Sequence, residues 1–213
     1  MTITHHLDDA TLMSFGAGSL PDALSAVAAA HVAMCPRCRR EVAGLEHVGG
    51  ALLAELSPAT LDRAEPAAPT AATPAESMRR ANADVPVGEM PRPLARLFGG
   101  GLDSIRWRLL GLGVWHHRLP LAGRGELGLL KIASGRMVPE HSHGGAELTL
   151  VLRGSFHDAT GRYGPGDVAD LDETIEHQPI ADREAECICL VASEKPAHFR
   201  GLVARLLQPL HGL

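Results

Sequence analysis

Aromatic residues are scarce in this sequence, with one Tyr, two Trp and four Phe among 213 residues. So few rings leave little material for a pocket that stacks on an organic substrate. A basic surplus is also missing, because 20 Lys and Arg face 25 Asp and Glu, for a formal net charge of -5. Neutralising a phosphate backbone needs the opposite balance, which excludes a general nucleic-acid binder and favours a partner with a basic surface. Long hydrophobic runs are absent too. The most apolar stretch, residues 24–34, is Ala-rich, carries His31 and is too short to cross a bilayer. The opening residues, MTITHHLDDA, lack the basic start and apolar run of a secretory signal. The expectation is a cytoplasmic protein with no membrane contact and no direct DNA binding. In a reducing compartment its four cysteines serve as metal ligands or redox groups rather than structural disulfides.

Hydrophobic residues at 45% and charged residues at 21% are sufficient for a packed soluble core. Residues 1–56 read as helical. Leu20, Leu24, Val27 and His31 share one helical spacing, and Leu45, Val48, Leu52 and Leu56 share another. Gly16 and Gly18 interrupt the pattern, and Pro21 suits the first turn of the helix that follows. A helical unit this small has a thin core and needs a metal or a partner for stability. Residues 57–93 are Ala-rich and hold seven of the fifteen prolines, which marks a linker with room for a short helix at 75–83. From residue 94 the character is β. Short segments at 105–110, 127–133, 147–153, 167–171 and 187–192 are punctuated by Gly, Pro and Asp, as in a sandwich or barrel. The predicted fold is therefore α+β in two domains. A small helical metal-binding bundle occupies residues 1–85 and an antiparallel β-barrel residues 94–195, with an apolar tail at 196–213 packing on the barrel.

Histidine is abundant, with 12 copies, and its placement defines two constellations. His31, Cys35 and Cys38 form H-x3-C-x2-C, with i, i+4 and i+7 on one helical face. Pro36 disfavours helix at Cys35, so one helix ends there and another begins, placing the Cys pair where a helix dipole favours thiolates. Thiolate and imidazole together suit tetrahedral zinc. The preceding segment offers His5 and His6 for a fourth ligand. C-P-R-C could instead be a thioredoxin-type redox pair, but no strand precedes it and no βαβ unit follows. With the A-G-S-L-P run at 17–21, this segment resembles the zinc-binding anti-sigma domain. That resemblance implies zinc on His6, His31, Cys35 and Cys38, in a helical domain that blocks a sigma factor from core RNA polymerase.

The second constellation is Gly135-x5-His141-x-His143-x3-Glu147-x6-Gly154, followed by the turn Gly164-Pro165-Gly166-Asp167 and then His177. Imidazoles two residues apart on a strand point to one side, and three imidazoles with one carboxylate suit a divalent metal. The run from 94 to 193 resembles the cupin family, a small antiparallel barrel with metal in its mouth. It departs from many cupins at Asp172-Glu173-Thr174, where Pro and Gly are usual. The implied ligands are His141, His143, Glu147 and His177. Such a set serves zinc, iron, manganese or nickel, and zinc is the preferred assignment.

The remaining polar residues read as follows. Cys187 and Cys189 face one side of a strand, either as small core hydrophobes or as an oxidisable pair near the barrel mouth. His116 and His117 alternate, one in and one out, and neither is expected to ligate metal. Arg37, Arg39, Arg40 and Glu41 form a charged cluster beside the first metal site. Asp8 and Asp9 suit the positive end of the first helix.

Joined by an Ala/Pro linker, the two halves resemble the ChrR-type anti-sigma factors. The resemblance implies a 1:1 complex with an ECF-type sigma factor, released under oxidative stress such as singlet oxygen or organic hydroperoxide sensed through the cupin half. The competing class is a cupin metalloenzyme, a dioxygenase or isomerase, with an accessory zinc module. Few aromatics and no acid–base pair beyond the ligands weigh against an enzyme.

Overall fold

A computed structural model describes residues 2–59, 91, 94, 101–121 and 123–199. Three helices come first. Helix α1 spans Asp9–Gly16, and Asp8 caps it by accepting from the Thr11 amide at 2.6 Å. Helix α2 spans Asp22–Met34 and α3 spans Pro36–Ala54. Between them Cys35 is extended (φ -102°, ψ 108°), because Pro36 removes the helical option from the residue before it and occupies the first turn of α3 itself. Arg39 stitches this joint, donating to the Val32 and Ala33 carbonyls at the end of α2 at 3.2 and 2.6 Å. It acts as a helix C-cap rather than as part of a solvated charge cluster.

The strands follow as β1 Arg108–Gly111, β2 Val114–Leu119, β3 Glu126–Ile132, β4 His141–Ser142, β5 Glu147–Arg153, β6 Phe156–His157, β7 Arg162–Tyr163, β8 Val168–Leu171, β9 Ile180–Ala181, β10 Cys187–Ser193 and β11 His198–Phe199. All pairings are antiparallel. A six-stranded sheet runs β1-β2-β3-β10-β5-β8, a three-stranded sheet β7-β6-β9 and a two-stranded one β11-β4. Bridges at Met137–Ile180 and His141–His177 extend the pairing between strands. This is a cupin-like fold, although among the described residues the ladders form separate sheets and not one closed barrel. The strand expected at 105–110 starts only at Arg108, since Leu102–Ser104 form a 3-10 turn. Strand β2 was anticipated only in the alternation of His116 and His117.

Strand β5 positions everything else. Its residues 147–152 are all buried, because both faces are covered. Leu148, Leu150 and Leu152 join one core cluster while Val151 joins the other, and alternation puts Glu147 and Thr149 on the Val151 side. The first cluster also contains Leu24, Val27 and Ala28 of α2, Leu127 and Leu129 of β3, and Ile188 and Leu190 of β10. Helix α2 thus lies on the outer face of the six-stranded sheet, and its alanines allow close approach. Full burial of a leucine such as Leu150 is worth about 1.5–3 kcal/mol. The helices therefore do not depend on a thin core of their own, because they share one with the sheet.

Polar contacts reinforce that seam. The Asp167 carboxylate accepts from the Thr4 and His5 amides at 2.6 and 2.9 Å, Asp170 accepts from the Asp8 amide at 3.0 Å, and Asp22 accepts from the Arg124 amide at 2.9 Å.

The apolar stripe of α3 behaves otherwise. Val48, Leu52 and Leu56 are 59%, 61% and 68% exposed, because α3 outruns the shorter α1 and no described residue covers its second half. Most of the expected 57–93 linker, its 75–83 helix and the tail beyond 199 lie outside the described residues. Of that tail, β11 pairs with β4 beside His141.

Candidate metal centres

The helical cluster brings His6, His31, Cys35 and Cys38 together, with one donor atom from each within 4.8 Å of the others. His31 Nε2 is 3.3 Å from Cys38 Sγ, and His6 Nδ1 is 3.3 Å from Cys35 Sγ and 3.7 Å from Cys38 Sγ. Bonds of about 2.05 Å to nitrogen and 2.3 Å to sulfur in a tetrahedron give a nitrogen–sulfur separation of about 3.6 Å. The observed spacings bracket it. His31 Nδ1 lies 2.9 Å from the Gly166 carbonyl, an acceptor only, so Nδ1 carries the proton and Nε2 presents its lone pair to the cluster. Burial lowers His31 to about 4 and keeps the ring neutral, the form that ligates. Burial and the adjacent Cys35 push the Cys38 thiol up to about 11, so a thiolate there requires a cation. His5 turns away from the cluster, with its ring 4.3 Å from that of Tyr163.

In the cupin half His141, His143, Glu147 and His177 are all buried and likewise converge within 4.8 Å. Strand β5 supplies Glu147 from its inner face, and β4 supplies His141 with His143 just beyond its end. His177 lies opposite, bridged to His141 by backbone hydrogen bonds of 3.1 Å in both directions. His141 Nδ1 donates to the Pro139 carbonyl at 2.8 Å and His177 Nδ1 to Asp158 at 2.9 Å. The two rings thereby turn their Nε2 atoms towards each other, 3.2 Å apart. Tetrahedral ligation of one ion by two imidazole nitrogens implies about 3.3 Å. His143 Nε2 is 3.1 Å from His177 Nε2, and its buried Nδ1 lies 3.0 Å from Glu147 Oε2. Burial alone would raise the Glu147 carboxyl, but the His143 contact and the surrounding imidazoles hold it below its ordinary value. Thr149 donates to Glu147 Oε1 at 3.1 Å and fixes its orientation. Both donor sets fit a metal ion.

Cys187 and Cys189 face inward from β10, fully buried, with their sulfurs 3.5 Å apart. The hydrogen bond from Cys187, burial and nearby Glu147 push the Cys189 thiol well up. His116 is buried and His117 half-buried; neither belongs to a ligand group.

Three outer contacts escaped the sequence reading. Asp158 orients His177, the Gly166 carbonyl orients His31, and Asp167 holds the backbone of Thr4 and His5 beside His6. The Gly164–Asp167 turn was legible as a turn. Its partner 135 residues away was not.

Among the described residues no helix is long and apolar enough to cross a membrane. Residues 99–196 match the family described as the ChrR Cupin-like domain. The chain is 42% identical over 209 residues to the anti-sigma-E factor ChrR of Cereibacter sphaeroides, covering 98% of each. Its fold is similar to that seen in the crystal structure of Rhodobacter sphaeroides SigE in complex with the anti-sigma ChrR. The TM-score there is 0.75 with 40% identity, over 90% of this chain and 100% of that one. Through this near-complete likeness, which spans both the helical and the cupin halves, the chain belongs to the ChrR family of anti-sigma factors.

Proposed function

We propose that this chain holds an ECF-type sigma factor inactive in a 1:1 complex and releases it under oxidative stress such as singlet oxygen or organic hydroperoxide. The likeness over 98% of both chains to a protein named for anti-sigma activity carries the reading. The uncovered stripe of Val48, Leu52 and Leu56 supports it, since an exposed apolar face on a small acidic protein suits burial against a partner. Regulation by binding also accounts for the scarcity of substrate-stacking rings.

In this reading zinc occupies His6, His31, Cys35 and Cys38. A second divalent metal, zinc by preference, occupies His141, His143, Glu147 and His177. Structural zinc contributes folding energy of about 10–16 kcal/mol in small peptides and here would fix the angle between α2 and α3. The cupin centre is the sensing end. Cys187 and Cys189 are its redox neighbours, but burial and the raised Cys189 thiol disfavour thiolate chemistry, which puts the weight of sensing on the four ligands. Release requires the signal to favour the sigma-free state over the bound one, because an equal effect on both shifts nothing.

Run-off transcription with core polymerase and a candidate sigma factor tests the proposal. The full chain should inhibit. The pair Cys35→Ala and Cys38→Ala should relieve inhibition, and Leu52→Asp should weaken it at least tenfold while stability stays within about 0.5 kcal/mol. Singlet oxygen should restore transcription in the wild type and not in His141→Ala. No inhibition, together with no complex on gel filtration, would sink the anti-sigma reading and return attention to the cupin as an enzyme.

A further inference from the structure

The two metal centres are joined by a single stretch of chain between β6 and β8. At one end Asp158 Oδ2 accepts from His177 Nδ1 at 2.9 Å, with both side chains buried. Its other oxygen accepts from the Thr160 hydroxyl at 2.5 Å and the Thr160 amide at 2.8 Å. The Thr160 hydroxyl proton is thereby committed to Asp158. The 2.9 Å contact between Thr160 Oγ1 and Tyr163 Oη must then have the tyrosine as donor. Tyr163 is the only tyrosine in the chain. Its ring is held between Phe156, with centroids 4.9 Å apart, and His5, 4.3 Å away.

His5 is covalently next to the ligand His6, and its backbone is pinned on both sides. Its amide donates to Asp167 at 2.9 Å and its carbonyl accepts from the Val168 amide at 3.4 Å. Three residues beyond Tyr163, the Gly166 carbonyl accepts from the ligand His31. One segment therefore touches His177 of the cupin centre at its start and, at its end, the ligand His31 and His5, the neighbour of the ligand His6.

We propose that Asp158, Thr160 and Tyr163 are positioning residues that couple the two centres, so that filling the cupin centre tightens metal binding at the helical centre. The inference rests on the proposed occupancy of both centres. A metal at the cupin centre fixes the His177 ring. That ring fixes the Asp158 carboxylate, which sets Thr160 and then the Tyr163 hydroxyl. The tyrosine ring is the wall against which His5 packs, so its placement decides how well His6 is aimed. Coupling is reciprocal, and between ordinary protein sites it amounts to about 5–150-fold in affinity. A chain of contacts suggests a route, and only a measured interaction between perturbations demonstrates one.

The test is a double-mutant cycle on the full chain, using cobalt(II) titrated against a competing chelator. The helical centre is the one with cysteine ligands, so thiolate-to-cobalt charge-transfer absorption reports it alone. His141→Ala disables the cupin centre, and Tyr163→Phe removes the hydroxyl while keeping the ring. His141→Ala is expected to weaken cobalt binding at the helical centre at least fivefold in the wild-type background and less than twofold in the Tyr163→Phe background. Thr160→Val should behave as Tyr163→Phe does and stands in if that variant fails to fold. A change below twofold in the wild-type background would overturn the coupling. An equal drop in both backgrounds would overturn this route for it. Absence of the thiolate absorption in the unmutated chain would instead overturn the zinc assignment itself.

Discussion

Gly166 is the residue whose replacement should report most directly on how the two halves depend on each other. Its φ is +89°, and a Cβ there would lie 2.8 Å from Cδ1 and Cγ1 of Ile3 and 3.6 Å from Cε of Met34. Gly166→Ala imposes a backbone penalty of about 1–3 kcal/mol at such a φ. Ile3 can rotate away, but the turn must also shift, and its carbonyl is the acceptor for buried His31 Nδ1. Leaving that N–H unsatisfied costs about 1–3 kcal/mol more. The sum is a loss of about 2–6 kcal/mol in stability. Zinc affinity should fall about 10–100-fold, as for other outer contacts to ligating histidines. The control is Gly50→Ala in α3, where a Cβ meets nothing within 4 Å and φ is not positive. There the same substitution should stabilise by about 0.5–1 kcal/mol. Urea denaturation of the zinc-loaded chain gives the stabilities, and competition with a chromophoric chelator gives the affinity. If Gly166→Ala stays within 0.5 kcal/mol of the wild type and competes for zinc equally well, the turn does not support the helical centre and the reasoning fails.

Acid should destabilise the metal-free protein in a defined window. His31 and His141 are both held near 4 by burial, against about 6.5 in the unfolded chain. The unfolded state binds more protons between these values, so the stability is fully present above pH 6.5 and is lost as pH falls towards 4. Each histidine accounts for about 3 kcal/mol, and urea midpoints that stayed flat from pH 7 to 4.5 would contradict the burial argument. At the seam between helix and sheet, Leu150→Ala should cost about 2–5 kcal/mol. It should lower the melting of helical circular dichroism and of Trp107 and Trp115 fluorescence together. Two separated transitions would mean that the helices and the sheet do not share a core.

Both ligand sets were legible because their spacing is local. H-x3-C-x2-C and H-x-H-x3-E each place three donors within one or two turns of chain, and only His6 and His177 had to be supplied from further away. The seven-residue, largely apolar runs set off by turn residues, such as β5 and β10, were also readable. Two-residue strands such as β4, β6 and β9 carry no period at all, and β2 is broken up by its His pair. The docking of α2 on the sheet was the main omission. Its signal was present: Ala23, Leu24, Val27, Ala28, Ala30, His31 and Met34 are buried, one continuous arc of about 160° at 100° per residue, broader than an ordinary amphipathic stripe. The stripe on α3 was legible only as a stripe. Periodicity shows that a face is apolar but not whether this chain or another one covers it.

The seam between α2 and the six-stranded sheet also bears on how the protein is made. Leu24 and Val27 are synthesised about 160 residues before Ile188 and Leu190 of β10, which complete their surroundings. At about 5–20 residues per second the delay is on the order of ten seconds. Throughout that interval an Ala-rich helix with apolar faces has no sheet to lie on. The nascent chain must be shielded by the ribosome, by a chaperone or by its eventual partner. Capture of the proposed zinc draws on His6, His31, Cys35 and Cys38, donors that have all emerged by residue 38, so it need not wait for the cupin half.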